Sequence, residues 1–519
     1  MRYLFLLIFF SISQMLLSQN EVIYIWSGAV THTSAKVNAK MSNASSSIRL
    51  VVDDDSTFAS PLYSPYYSVS SASNLMVSME INGLNSLTTY FYAVESGGVI
   101  DASSSDIGRF KTFASGPFSY SFVVGSCALS SSHKVFDVIR SMSPAFFLSM
   151  GDLHYEDPNS GSNINVHRLP YENSVLSKAP AAKLFKEVPF AYMWDDHDFC
   201  GNNSDSTYAG KANARKAYHE YVPHYPLALG TGPNFPIAQA FTVGRIHFIL
   251  TDLRSQRSSS SAMPPSQRTW FENECLYARD NNLVIAWLST YSWSGTGSDN
   301  WSEFSTERKS INDFLFCNQI ENLFILSGDA HMLGIDNGSN SNFSSNTCGF
   351  YPYPNFQAAA LNQNGSYKGG VYSEGGYFMN PNASFGQFGL VDVLDSGSDS
   401  ICISLKGYRV DVTGTTITVM NSYNFCRQLL ATAVEEGVEK QDILSVRPNP
   451  SNSLSIGFTD KIFLRSVKIY SILGNLLFAE NINAYTSDYS PSLSQLTTAC
   501  YIVEVETDKQ VIRTYWIKK

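Results

Sequence analysis

The sequence predicts an α/β core flanked on each side by an all-β sandwich module. In the middle of the chain, continuous apolar runs end abruptly in charged or ligating residues, and segments of helical periodicity lie between them. Strands of that kind are buried on both faces, so helices must cover their sheets. Before and after this region, short stretches alternate with period two and are separated by Gly, Asn, Asp and Ser, as in β-sandwiches. A chain of 519 residues has room for about three domains.

The opening residues, MRYLFLLIFFSISQMLLSQN, hold Arg2, an apolar run Tyr3–Phe10 and small or polar residues up to Ser18 and Gln19. This is the pattern of a secretory signal peptide, residues 1–18. The run is shorter than the roughly 20 residues of a membrane span, and no later segment approaches that length. An exported, soluble protein without a transmembrane segment is expected. The net charge of -10, with no Lys/Arg-rich run, gives no nucleic-acid footprint. The 8 cysteines are spread thinly, with no CxxC pair, and their connectivity cannot be read from spacing.

Residues 19–115 form the first β-module. Ser34–Met41, Ser46–Val52 and Leu75–Ile81 alternate with period two. Asp53, Asp54 and Asp55 read as a solvated turn, since nothing with calcium-ligand spacing accompanies them. The stretch NGLNSLTTYFYAVES followed by GRFKTF resembles the end of a fibronectin type III domain, which would make Tyr90 its corner tyrosine and Phe110–Phe113 its last strand.

The core spans 116–427. SFVVGSCA ends in Cys127, FFLSMGD in Asp152, PFAYMWDDHD in Asp195–Asp198, HFILTDLR in Asp252 and Arg254, and NLFILSGDAH in Asp329 and His331. Open α/β sheets place their sites at the carboxyl ends of strands, and one shared site explains these endings together. Helices are expected after Ser131 or Ser132 as cap, with Val135, Phe136, Val138 and Ile139 buried, over Leu176–Val188, and near Gln267–Arg279. Phe388–Leu394 and Ser400–Lys406 read as paired strands closing the domain.

The strand ends carry a metal-ligand inventory. Asp152, Asp196, Asn202, Asp329 and His331 offer oxygen and imidazole donors, and Cys127 and Tyr155 offer thiolate and phenolate. Mixed donors of this kind suit a multi-metal centre with one softer, redox-type ion. The Asp-Asp-His-Asp cluster at 195–198 repels itself unless cations bind. Arg254 and Arg257 can hold a phosphate by paired hydrogen bonds, and His197 can donate a proton to a leaving alkoxide or orient the phosphate. Taken singly, Cys127 reads as a buried core thiol, Tyr155 as packing, and Arg254 as a partner of Asp252. His154, His219 and His247 are read as structural.

In order, GSCA, GDLHYED, WDDHDFCGNN, DLRSQR, DNWSEFSTER and LSGDAHM resemble the motifs of the alkaline phosphatase D (PhoD-like) group of the calcineurin-like metallophosphoesterases. The resemblance implies an αββα sandwich, a ferric ion with calcium ions nearby, and hydrolysis of phosphate esters. By position it implies Cys127 as thiolate ligand, Asp152 as bridging carboxylate, Tyr155 as phenolate, and Asp329 with His331 as the last pair. Asp196 and Asn202 would hold the second metal group, with Asp195 as fallback. Where the group has Tyr-Gly this chain has Phe199-Cys200, a departure in the loop leading to Asn202. Glu307 and Arg308 match an ER pair with a structural role. Zinc, which also accepts thiolate, is the alternative to iron.

A polar linker, 428–441, precedes the last module, 442–519. There ILSVRPNPSNSLSIGF, VKIYSILGNLLF and a basic end resemble the type A sorting domain of type IX secretion, which implies that machinery as a partner and a secreted or outer-surface location. The expected function is thus a secreted, metal-dependent phosphatase. The competing readings are a phosphodiesterase or phospholipase of the same fold, and a surface-binding protein with an inactive phosphatase domain.

Overall fold

The structure, a computed structural model, describes residues 21–101, 107–345, 349–429, 444–446, 452–471, 475–508 and 511–518. The expected signal peptide, 1–18, and nearly all of the expected linker, 428–441, lie outside them.

The strands in chain order are β1 (Val22–Gly28), β2 (Ser34–Met41), β3 (Ser45–Asp53), β4 (Leu62–Tyr63), β5 (Tyr67–Val69), β6 (Met76–Asn82), β7 (Thr89–Ser96), β8 (Val99–Asp101), β9 (Gly108–Lys111), β10 (Tyr120–Gly125), β11 (Phe147–Met150), β12 (Phe190–Met193), β13 (Gln239–Val243), β14 (Ile246–Leu250), β15 (Val284–Leu288), β16 (Leu323–Ser327), β17 (Met332–Asp336), β18 (Asn355–Ala358), β19 (Tyr377–Met379), β20 (Gly386–Leu394), β21 (Ser400–Val410) and β22 (Ile417–Gln428). β23 (Leu444–Val446), β24 (Ile456–Ser471), β25 (Leu476–Tyr489), β26 (Ala499–Thr507) and β27 (Val511–Lys518) follow. The α-helices are α1 (Val135–Ser141), α2 (Asn165–Leu169), α3 (Ala179–Glu187), α4 (Asp196–Phe199), α5 (Lys211–Tyr221), α6 (Pro265–Asp280) and α7 (Ser305–Cys317).

A nine-stranded sheet has the order β22-β21-β20-β10-β11-β12-β1-β2-β6, and a seven-stranded sheet the order β13-β14-β15-β16-β18-β17-β19. β10, β11 and β12 are parallel, as are β14, β15, β16 and β18, so their carboxyl ends gather on one side. Consecutive apolar residues are needed because each strand is covered twice. Phe146 and Phe122 meet Phe248 of the second sheet at 5.4 and 5.2 Å between ring centroids. The next residue, Phe147, points the other way and stacks on Phe185 of α3 at 6.0 Å. On the second sheet, Phe271 of α6 packs on Trp287 of β15 at 4.7 Å. Each fully buried Phe contributes on the order of 1.5–3 kcal/mol.

The period-two runs of the N-terminal region are the expected strands, but they do not stand apart from the core. β1, β2 and β6 continue the nine-stranded sheet, with Gly28 of β1 registered in parallel with Phe190 of β12. That junction requires glycine: a Cβ at Gly28 would lie 2.4 Å from the Phe190 carbonyl oxygen and 2.5 Å from that of Pro223. Trp26 stacks on Phe190 and meets Phe185 at a tilt, and its Nε1 donates to the Tyr221 carbonyl at 2.7 Å. β3, β4, β5, β7, β8 and β9 form a separate six-stranded sheet. In the turn before β7, the Tyr90 hydroxyl accepts from the Asn85 backbone N–H at 3.0 Å.

The expected Ser131 or Ser132 cap is not formed: the N-cap of the first helix is Lys134, with no side-chain capping bond. The Val135 N–H donates to Nδ1 of His133 at 3.1 Å, whereas the Ser131 hydroxyl is buried without a partner. The imidazole reaches the orphan N–H from the adjoining turn, which replaces a hydroxyl cap. Cys402 and Cys426 sit opposite one another on β21 and β22 and form a disulfide. Cys127, Cys200 and Cys275 are reduced and buried.

The chain divides into two compact units. One reaches Arg308 and includes Asn322–Ser341 and Pro352–Gln428. The other joins Lys309–Glu321 and Asn342–Tyr351 to residues from Leu429 onward, so the tail unit draws in short segments from before the expected boundary. Its sheet runs β23-β24-β26-β27, with β25 beside β24, over a core that includes Leu464, Val467, Ile469, Val503, Val505 and Trp516. Because that core is its own, a chain ending at Gln441 should fold, with a melting temperature within about 3 °C of the full chain by circular dichroism. A collapse of the transition would show that the first unit needs the tail.

Candidate active site

The site is built where β10, β11, β12 and β16 end. Two residues past the ends of β10, β11 and β16 the backbone turns left-handed: Cys127, Asp152 and Asp329 have φ of 62°, 51° and 62°. Left-handed backbone at non-glycine residues costs of order 1–3 kcal/mol and persists where the surroundings over-determine it. Gly328 lets the strand ends approach: a Cβ there would lie 2.5 Å from the Met150 carbonyl and 2.8 Å from the Ser126 hydroxyl. The Cys127 N–H donates to the Gly151 carbonyl at 3.2 Å and the Ala128 N–H to the Asp152 carbonyl at 2.8 Å, fixing the first two turns together.

Three groups of potential ligands result, each with its ligand atoms within 4.8 Å of one another: Cys127, Asp152 and His331; Asp152, Asp196 and His197; and Asp195, Asp196 and Asp329. Asp152 belongs to the first two and Asp196 to the last two, so the groups are contiguous. The Tyr155 hydroxyl donates to Asp152 Oδ2 at 3.0 Å and lies 3.1 Å from His331 Nε2. His331 Nδ1 is 2.6 Å from the Asn364 carbonyl. A carbonyl only accepts, so Nδ1 carries the proton and the Nε2 lone pair faces the group. His197 Nδ1 is 2.6 Å from Asp157, with its ring 4.2 Å from that of Tyr155.

The electrostatics of the bare protein call for cations. Burial first, then the neighbouring carboxylates of Asp196, Asp195, Asp198 and Asp329, push the Asp152 carboxyl well above its ordinary range. Burial likewise drives up Asp195, against the pull of Arg254, and lifts Asp329 to about 6 despite Lys368. Burial and the charges of Asp152 and Asp329 raise the Cys127 thiol, so a thiolate there requires a positive neighbour. Asp195 Oδ2 is buried without a hydrogen-bond partner. An orphaned carboxylate oxygen among raised acids, with a thiol and an imidazole lone pair alongside, fits a group of metal ions.

At several of the expected positions the side chains already have partners within the chain. Asn202 is exposed; with the Asn203 amide turned to suit its neighbours, the Asn202 side chain donates to it at 2.8 Å. It is Asn203 whose backbone N–H donates to Asp196 Oδ2 at 2.6 Å, and whose turned amide donates to Asp299 at 3.0 Å. Arg254 has no exposed surface. Its Nε donates to Asp195 and its Nη1 to Asp299 at 2.8 Å, and its guanidinium lies 4.6 Å from the Tyr291 ring. Arg257 pairs with Glu303 at 2.8 Å and Asp299 at 3.4 Å. Neither guanidinium faces the site unpaired; both are already held by carboxylates. Glu307 accepts from the Ala262 and Met263 N–H groups, and Arg308 donates to the Trp293 carbonyl, so this pair braces backbone.

Three further residues of the site, Lys368, Asp198 and Asp299, were given no individual role by the sequence. Lys368, in a glycine-rich loop, bonds Asp329 at 2.6 Å and Asp299 at 2.7 Å. Burial pulls its ammonium down, and the two carboxylates more than offset that, so it stays charged. Asp198 accepts the Leu153 N–H at 2.9 Å and the Asp195 N–H at 2.7 Å, tying the second strand end to the third. Asp299 gathers Arg254, Arg257 and Lys368. The stretch DNWSEFSTER contains it, but only the fold shows what it binds.

Parallel buried strands with an acidic and thiol-bearing group at their carboxyl ends define an α/β protein with a candidate multi-metal hydrolytic centre. Residues 122–369 match the family model of the PhoD-like phosphatase, and residues 445–519 that of the secretion system C-terminal sorting domain. The chain is 24% identical over 314 residues to alkaline phosphatase D of Bacillus subtilis (strain 168), an alignment covering 49% of this chain and 53% of that protein. It thus spans about half the length of the curated relative it matches. A solved structure described as "Structure of PhoD" superposes with a TM-score of 0.60 and 16% identity, covering 80% of this chain and 93% of that one, and shares the fold. The chain is thus similar to PhoD-like phosphatases over residues 122–369, and the match of its last residues to a sorting domain indicates a secreted or cell-surface protein. No helix among the described residues is long and apolar enough to cross a membrane.

Proposed function

We propose that this protein is a metal-dependent phosphoesterase that hydrolyses phosphate esters at the β10–β11–β12–β16 strand ends. The observation that carries this reading is the sharing of Asp152 between the Cys127–His331 group and the Asp196–His197 group. A shared carboxylate of that kind is what two adjacent ions require. Cys127, Asp152, Tyr155 and His331 would hold one ion. Asp152, Asp196 and Asp329 would hold its neighbours, with Asp195 offering its orphaned oxygen and the 202–203 turn closing the far side.

When bound, such a metal group supplies Lewis acidity and a nucleophilic water for in-line displacement at phosphorus. The chain's own residues do the rest. His197, held by Asp157, is placed to hand a proton to the leaving oxygen. Arg254 and Lys368 keep Asp195, Asp196 and Asp329 in position rather than gripping phosphate. The layers read as helix, sheet, sheet, helix, an αββα sandwich. The six-stranded sheet with β1, β2 and β6 reads as a fibronectin type III-like sandwich, supported by the Tyr90 corner. The sorting domain fits delivery by type IX secretion.

Turnover of p-nitrophenyl phosphate against bis(p-nitrophenyl) phosphate tests the reading. Hydrolysis of the monoester at the higher kcat/KM is expected; preference for the diester would favour the phosphodiesterase or phospholipase alternative, and turnover of neither would leave a binding protein.

The ion beside Cys127 and Tyr155 is read as ferric, with calcium as its neighbours and zinc as the competing ion. Thiolate and phenolate are unusual for calcium, which takes hard oxygens. Zinc has a full d shell and no visible transition. Protein purified with iron and calcium should therefore be coloured. Cys127→Ser should shift or weaken the band and lower kcat about tenfold or more, with the circular dichroism spectrum unchanged. A colourless, fully active zinc protein would refute the ferric assignment alone.

A further inference from the structure

Beside the candidate active site, a separate cavity of about 320 Å³ is lined by Ser206, Lys211, Arg215, Phe235, Ser255 and Gln256, among others. Lys211 and Arg215 stand one helical turn apart at the start of α5, so both face the same side. Arg215 is 1% exposed. Its Nη2 donates to the Gly230 and Pro236 carbonyls at 3.1 and 2.8 Å, but its Nε and Nη1 are buried with no partner. Buried donors left unpaired cost about 1–3 kcal/mol each, more on a charged group.

The nearby carboxylate does not relieve this. Asp252 Oδ1 already accepts from Trp194 Nε1 and from the Arg254 and Ser255 N–H groups, and Oδ2 from the Ile237 N–H and the Ser255 hydroxyl. Burial pulls the Arg215 guanidinium down to about 10, and Asp252 offsets only part of that. Lys211 Nζ donates to the Ser206 carbonyl at 2.7 Å. Among the described residues no ion pair joins either cation to a carboxylate. There is also no acidic residue in the first turn of α5. Two cations at the positive end of a helix repel both each other and the helix dipole unless an anion lies between them.

We propose that this cavity binds a phosphate group. Arg215 would attract it through the charge of its buried guanidinium, Lys211 as a point charge, and the N-terminal end of α5 with its dipole. The cavity shares its walls with the candidate centre. The loop between α4, which begins at Asp196, and α5, which begins at Lys211, runs through Asn203 and Ser206, and the Ser206 N–H donates to the Arg257 carbonyl at 3.2 Å. Ser255 and Gln256 lie between Arg254 and Arg257. The occupant is either a second phosphate on the ester being cleaved, which rests on the phosphoesterase reading, or free inorganic phosphate, which does not.

The test is calorimetric titration of inorganic phosphate into the metal-loaded full chain, wild type, Lys211→Gln and Arg215→Met, with melting curves to confirm folding. A binding event weakened about tenfold or more by Lys211→Gln is expected. Phosphate binding that Lys211→Gln leaves unmoved overturns the proposal, and this variant decides if Arg215→Met does not fold. The same proteins are then compared on p-nitrophenyl phosphate and on a sugar bisphosphate. A loss of kcat/KM of about tenfold on the bisphosphate alone identifies the second phosphate of a substrate. Unchanged kinetics with weakened phosphate binding identify free phosphate. An equal loss on both substrates overturns the proposal by making Lys211 a general support of the centre. Absence of turnover in the wild type would sink the phosphoesterase reading, while the titration still judges the cavity.

Discussion

Asp152→Asn is expected to lower kcat by about a thousandfold or more, because losing the shared carboxylate uncouples two ions that must act on one phosphorus. The fold should survive, and the apo protein supplies a sign that distinguishes this from simple damage. In the bare chain Asp152 is buried among Asp195, Asp196, Asp198 and Asp329, and its carboxyl is pushed well above the ordinary range. A folded-state pKa above the unfolded value means that ionising Asp152 opposes folding above its ordinary range. The neutral amide removes that opposition. With chelator present, Asp152→Asn should melt no lower than the wild type; with metals, it should lose most of the stabilisation that ions confer on the wild type. Turnover within about threefold of wild type would remove Asp152 from the centre.

The candidate site was legible where buried strands end. An apolar run that stops at a carboxylate or thiol is visible in one dimension, and Cys127, Asp152, Asp196, Asp329 and His331 each close or follow such a run. Tyr155 and His197 followed because they are adjacent to those ends. Lys368 was not legible: it reaches Asp329 and Asp299 from a loop whose sequence, SYKGG, carries no signal of a partner. Asn202 and its neighbour Asn203 are both exposed, and it is the backbone N–H of Asn203 that reaches Asp196, a contact set by the geometry of the turn after α4 that spacing does not encode. Ser131 and Ser132 looked like caps by type, yet His133 was nearer the orphan N–H. The joining of β1 to β12 was hidden for a related reason. Period two identifies a strand but not which sheet it joins, and the close approach at Gly28 becomes visible only once Phe190 and Pro223 are in place.

Arg254→Met is expected to destabilise the protein by about 3–5 kcal/mol, the usual cost of removing one partner from a buried charge group. Arg254 has no exposure and sits between Asp195 and Asp299, with Asp196 at 3.8 Å. Its removal leaves Asp195 with Thr290 as its remaining side-chain donor, at 3.2 Å, while Asp299 keeps Arg257 and Lys368. The strain therefore falls on Asp195, whose second oxygen already lacks a partner. Arg254→Lys should recover only part of the stability, since an ammonium restores the charge but cannot span Asp195 and Asp299 as the guanidinium fork does. A phosphate-gripping Arg254 predicts the reverse: a variant that melts like the wild type and shows a raised KM. Denaturant melts of both variants, beside KM and kcat for p-nitrophenyl phosphate, separate the two roles. A melting curve unchanged by Arg254→Met would return Arg254 to the substrate.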